Sequence, residues 1–175
     1  MKKLFLTVVI ALSSTVIFAQ SAFDKYDGQD GVTSVIVNKK MFELMSKVKV
    51  DASDKEAQAY MSLLKKLENL KVFTTNSSKT ATEMKSTVGS YLKSNPLDEL
   101  MRVNDSGKKV NIYVKSGATS SQVKELLMFI EGVNIKGNET VLLSLTGNFD
   151  LDEISALTEK MKIPGGDSLK KASKK

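Results

Sequence analysis

The residues of this chain best suited to chemistry are acids. In LSLTGNFDLDEI, Leu143 to Ile154, Asp150, Asp152 and Glu153 follow Gly147 and Asn148 at the end of an apolar run. Two carboxylates facing each other across a cleft can run acid–base catalysis on a glycoside. Alternating oxygens, as at Asn148, Asp150 and Asp152, can hold a hard cation. A second stretch, DKYDGQDG from Asp24 to Gly31, sets three acids beside two glycines. Ser and Lys are abundant enough for a dyad such as Ser86 with Lys93. The chain has no His and no Cys. That removes Ser-His-Asp and Cys-His machinery together with the usual zinc ligands.

Each of these leads has a plainer account. Neither acidic stretch fits the calcium-loop pattern, which needs a central glycine and a closing bidentate Glu at fixed spacing. Sugar clefts use aromatic platforms, and this chain has no Trp and only 6% aromatic residues. Ser–Lys pairs are too common here for any one of them to carry information. No nucleophile elbow, Walker loop or dinucleotide-binding glycine motif occurs.

The acids of Leu143–Ile154 also have local structural work. The sequence predicts a strand ending near Thr146, with Gly147 supplying a left-handed turn. Asp150 then falls at the N-cap of a helix and Glu153 at its third position, a capping box. Phe149 and Ile154 take the places of a hydrophobic staple around that cap. Asp152 and Glu153 sit in the first turn, where the helix dipole favours negative charge. The sequence therefore assigns no catalytic, cofactor or metal residue. It assigns a structural cap of Gly147, Phe149, Asp150, Glu153 and Ile154.

The elements that would position these residues follow from periodicity. VTSVIVN, Val32–Asn38, is β-branched and reads as a strand. In KKMFELMSKV the residues Met41, Phe42, Met45 and Val48 have helical spacing, with Asn38 as N-cap. SDKEAQAYMSLLKKLENL reads as a helix with a Ser53–Glu56 capping box and a stripe of Ala57, Tyr60, Met61, Leu64 and Leu67. Leu70–Thr75 is a short strand. Thr80 and Glu83 open a further helix that buries Ala81, Met84, Val88, Tyr91 and Leu92 and stops at Asn95-Pro96. The methionines Met41, Met45, Met61 and Met84 read as core filling.

Beyond Pro96 the period shifts to two. DELMRVN and KVNIYVK flank Asp105-Ser106-Gly107 as a hairpin, with Val110, Ile112 and Val114 on one face. Val123–Glu131 fits either a helix or a buried strand. The strand reading is favoured because NIKGNE after it resembles a hairpin loop leading into the strand ETVLLSLTG. LDEISALTEKMKI is expected to be the last helix, stopped by Pro164-Gly165-Gly166. Helices first and strands later imply α+β: one mostly antiparallel sheet of five to six strands with helices packed on one face.

The N-terminus MKKLFLTVVIALSSTVIFAQS carries Lys2 and Lys3, an apolar stretch from Leu4 to Leu12, and Ile17-Phe18-Ala19 before Gln20. This is the pattern of a secretory signal cut between Ala19 and Gln20. The apolar run is too short and too interrupted for a membrane span. The organisation read from the sequence is a signal at 1–19, an irregular lead-in at 20–31, a single domain at 32–163 and a basic flexible tail at 164–175. The net charge of +6, lower by two once Lys2 and Lys3 leave, rests almost wholly on lysine, Arg102 being the only arginine. Lysine without arginine's planar fork, and without an aromatic RNA-binding motif, argues against nucleic acid. The reading is an exported protein of the periplasm or cell exterior. With no Cys it is not a lipoprotein, and the mature chain has no membrane span.

ELMRVNDSGKKVNIYVKSG and VLLSLTGNFDLDEISALTEKM resemble a family of exported proteins from Bacteroidota catalogued as a domain of unknown function. The likeness runs from Val32 to about Met161, and the signal ending Phe18-Ala19-Gln20 is similar to those of that phylum. The resemblance implies export and a compact α+β domain; it brings no activity, cofactor or site residue. The expected role is a non-enzymatic interaction or structural module of the envelope, with an envelope protein as partner. The alternative is a carrier of a small apolar ligand or lipid between sheet and helices, which a run such as LLMFI would suit. A carboxylate or Ser–Lys enzyme is the remote third.

Overall fold

The computed structural model describes residues 22–51, 53–105, 107–119, 121–132, 139–154, 157 and 167–169. Six strands form one sheet. They are β1 (Val32–Asn38), β2 (Leu67–Thr75), β3 (Asp98–Asp105), β4 (Lys108–Ser116), β5 (Gln122–Gly132) and β6 (Thr140–Asp150). Helices α1 (Lys39–Met45) and α2 (Lys55–Lys66) join β1 to β2, and α3 (Ser78–Ser94) joins β2 to β3. The strand order is β1-β2-β6-β5-β4-β3, and every neighbouring pair is antiparallel. The fold is α+β with a six-stranded antiparallel sheet, as the patterning indicates. Residues 123–131 lie in β5.

The helices divide between both faces of the sheet rather than sharing one. Side chains alternate along a strand, so the burial of neighbouring residues maps the two faces. Leu126, Met128 and Ile130 join Val72, Leu143, Ile112 and the helix residues Phe42, Leu63 and Leu64 in one cluster. Leu127 and Phe129, between them in β5, join Phe73, Leu142 and the α3 residues Met84, Val88 and Tyr91 in another. A central strand covered on both faces needs apolar residues at every position. That explains the unbroken LLMFI run without a ligand.

The lead-in belongs to the core. Asp24–Tyr26 is a turn of 3-10 helix, and Phe23 and Tyr26 are fully buried under α3. Phe23 packs against Tyr91 with the rings tilted by 47° and their centroids 4.9 Å apart, and Tyr26 meets Phe73 edge-on at 5.8 Å. The packed domain therefore starts ahead of Val32. Composition hid this, because two aromatics among polar turn residues make no periodic pattern. At the other end Leu169 is buried in the first cluster. The core thus reaches past residue 163, and residues 167–169 are helical.

Several boundaries differ by local competition for caps. Asp54, not Ser53, caps α2, accepting from the Ala57 N–H at 2.9 Å. Ser53 instead donates through its N–H and hydroxyl to Asp51, whose carboxyl these two bonds hold below the usual carboxylate range. Ser77, not Thr80, caps α3, and Asn95 closes it as expected. Leu67, placed on the α2 stripe by spacing, begins β2 and is buried there. Asn38 caps α1 through its bond from the Met41 N–H at 3.0 Å.

Candidate functional site

Asp150 and Glu153 lie at the end of the sheet where it bends, whereas the Asp24–Gly31 stretch leads into β1 at the opposite, Thr75–Thr140 end. Pairing shifts register at Leu67/Asn69, Val123/Glu125, Lys115/Ser116 and Glu99/Met101. Antiparallel order places these steps side by side, so a line of bulges crosses from β2 to β3. Bulges bend and twist a sheet. The bend lets β6 run on to Asp150 instead of stopping near Thr146.

Gly147 therefore sits inside a strand and not in a turn. Its φ is 159°, and a Cβ there would lie 2.5 Å from the Lys66 carbonyl oxygen. The glycine is needed because the end of α2 crosses against β6, a close approach that only a missing side chain permits.

Past Gly147, the Asp150 N–H donates to Glu153 Oε2 at 3.0 Å, one arm of a capping box on the 3-10 turn Leu151–Glu153. Lys66 Nζ donates to both Glu153 oxygens, at 2.7 and 2.9 Å, and lies 3.5 Å from Asp150. That hydrogen-bonded Glu153 carboxylate, more than Asp150, raises the Lys66 pKa. Asp150 also accepts from the Ser121 hydroxyl at 3.1 Å. Phe149 and Ile154 are both buried in the first cluster. The acids are committed to a lysine and a turn, which ties α2 to β6. The rest of the expected helix, apart from Leu157, lies outside the described residues, as do the Ala19–Gln20 cleavage site and the NIKGNE loop.

Beside this cluster a polar row crosses the α3 face in register: Asn38, Asn69, Thr146, Glu125 and Lys115, each opposite the next. Glu125 is 8% exposed and accepts from the Tyr91 hydroxyl at 2.5 Å. Burial pushes its carboxyl above the usual range, against the lowering effects of Tyr91 and Lys115. Burial likewise raises the Tyr91 hydroxyl. The Thr146 hydroxyl oxygen is buried without a hydrogen-bond partner among the described residues. Here one acid faces one phenol, and among the described residues no second carboxylate bonds to it to complete a general acid–base pair. Two of the three acids of the DKYDGQDG stretch are likewise committed: Asp24 pairs with Lys71, and Asp27 accepts from the Ser34 hydroxyl at 2.7 Å. Among the described residues no three acids come close enough to hold a metal ion.

A surface without such internal commitments lies along the β1 edge of the sheet. Among the described residues, the exposed large apolar side chains are Val35 (48%), Ile36 (42%), Met41 (50%), Leu44 (51%) and Val48 (60%). All belong to residues 35–48, on β1, α1 and the turn after it. Helix α1 is pinned by Phe42, which is fully buried, with Met45 packed partly against the same cluster. Met41 and Leu44, three residues apart, face solvent on the helix, and Val48 is exposed on the turn after it. The sequence reading took Met41 as core filling, and it is half exposed; spacing marks a stripe but not what lies against it. β1 is an edge strand, and its sequence VTSVIVN holds no charge and no proline. Concentrated exposed apolar surface on a sheet edge is characteristic of a binding surface.

The chain belongs to a family described as a domain of unknown function (DUF4252), whose model matches residues 26–157. No curated protein and no solved structure matches it. Among the described residues no helix is long and apolar enough to cross a membrane.

Proposed function

We propose that this chain is a non-enzymatic interaction module of the bacterial envelope and that its working surface is the β1–α1 border. The observation that carries this reading is that, among the described residues, the exposed large apolar side chains all fall within residues 35–48. Two recognition modes are open there: strand addition to β1, and docking of the exposed Met41, Leu44 and Val48 side chains into a groove. The secretory pattern of Met1–Ala19, with cleavage before Gln20, supports export to the periplasm or cell exterior. The resemblance to exported Bacteroidota proteins supports the same location. The acids at Asp150 and Glu153 support a structural role, since both are bound to Lys66.

The test is site-specific photocrosslinking in cells. A crosslinking residue at Leu44 or Ile36 should give discrete adducts, and one at Arg102 on β3 should give none. Equal adducts at both edges, or none at either, would sink the assignment of this surface.

A further inference from the structure

Among the occupants that fit this border, the geometry points to a second copy of the chain: we infer that β1 pairs antiparallel with β1 of that copy, doubling the six-stranded sheet. This rests on the reading of the β1–α1 border as the working surface and names its partner.

Edge strands ordinarily carry devices that prevent such pairing: charges, proline, bulges or brevity. β1 has seven residues without charge or proline, and its pairing with β2 is unshifted from Val32↔Thr75 to Asn38↔Asn69. The four other pairings all shift. Helix α1 packs back over β1 and β2, so it lies above the sheet, and among the described residues only β2 pairs with β1.

The charges flanking β1 select both the sense and the partner. Asp27 and Asp30 precede the strand, and Lys39 and Lys40 follow it. A parallel copy would set acid beside acid and base beside base. An antiparallel copy sets the Asp30 end of each chain at the Lys39–Lys40 end of the other. With the two-fold axis on Val35, Thr33 faces Val37, Ser34 faces Ile36 and Val32 faces Asn38 of the second copy. Directly opposed residues share a face. Val35, Thr33 and Val37 then stay on the α1 face, and Ser34 and Ile36 on the α3 face, in both copies. The two-fold counts each exposed side chain twice, bringing two Val35 residues together and two α1 helices to the same side. An uncharged strand of another protein would gain nothing from the acid and lysine ends.

Sedimentation velocity of the purified chain over a concentration series tests this. The native chain should be a dimer. V35K and V35D should each be monomeric at concentrations where the native chain is dimeric, with unchanged circular dichroism. An equimolar mixture of V35K and V35D should dimerise again, because the axis sets the two substituted residues opposite each other. Because the chain has no Cys, Val35→Cys gives a second readout independent of dissociation. Oxidation should link two chains at V35C, since opposed strand residues lie within disulfide reach. A native chain monomeric throughout, a dimer untouched by V35K, or a mixture that fails to reassociate overturns the inference. If the chain is monomeric yet crosslinks from Leu44 to a different protein, the second copy is excluded and the working surface stands. If Leu44 gives no adduct to anything, the surface reading itself has failed.

Discussion

The two edges of this sheet solve the same problem in opposite ways. β3 shows Asp98, Glu99 and Arg102 in an eight-residue strand, joins Arg102 to Glu99, and steps out of register between Glu99 and Met101. β1 has neither charge nor bulge and exposes Val35 and Ile36. An edge with open hydrogen-bonding groups invites another strand, and charge and bulge discourage it. The contrast within one sheet teaches that exposure at β1 is not a general looseness of the fold. One edge is guarded and the other is left open.

The largest expected effect comes from the anchor that holds the open edge in place. Phe42→Ala should destabilise the chain by about 3–5 kcal/mol, since it empties a fully buried aromatic site between α1 and the sheet. Leu100→Ala on β3, where the side chain is only partly buried, should cost about 1–2 kcal/mol. Urea unfolding of the two variants measures the difference. Equal costs would mean the two edges are equally well anchored.

A central strand gives the scale between them. Asp150→Ala removes half of a capping box and a contact to Lys66, and should cost about 0.5–2 kcal/mol. A change within error would show that Lys66 and Glu153 hold the turn alone. The guard on β3 is tested by removing it: Glu99→Thr with Arg102→Thr should leave the thermal midpoint unchanged while raising self-association in sedimentation. If the double variant associates no more than the native chain, the bulge alone protects β3 and the contrast in charge is incidental.

The smallest effect lies under α3, away from both edges. The Glu125 carboxyl is raised by burial above its ordinary value of 4.5. The folded state therefore binds its proton more tightly than the unfolded state. This contribution is fully present below about pH 4.5 and is lost as pH rises through the folded value. Glu125→Gln should flatten stability against pH in that window and keep the Tyr91 hydroxyl bonded. An unchanged slope would place the pH dependence elsewhere.

Much of the fold could be read in the chain, because helices and strands announce their own periods. The β3–β4 hairpin, the stripe of α2 with Tyr60 and Leu64, and the cap at Asn38 are local patterns that local physics fixes. The Asp150–Glu153 box was legible for the same reason, since its partners lie three residues apart. Its lysine was not, because Lys66 is distant in sequence and arrives only when α2 crosses β6. The five residues of the candidate surface were seen as strand and helix, and one of them, Met41, was misplaced in the core. No signal along the chain could separate the inward side chain of Phe42 from the outward ones of Met41, Leu44 and Val48.

By itself, then, the sequence determined most of the helix and strand segments, that the class is α+β, and that Asp150 and Glu153 form a local cap. The tertiary structure decided that helices cover both faces, that Gly147 marks a crossing instead of a turn, and that β1 lies at an edge. The reason is physical. A period records which side chains share a face, whereas strand order and helix placement record which distant segments cover that face, and only the folded chain brings those segments together.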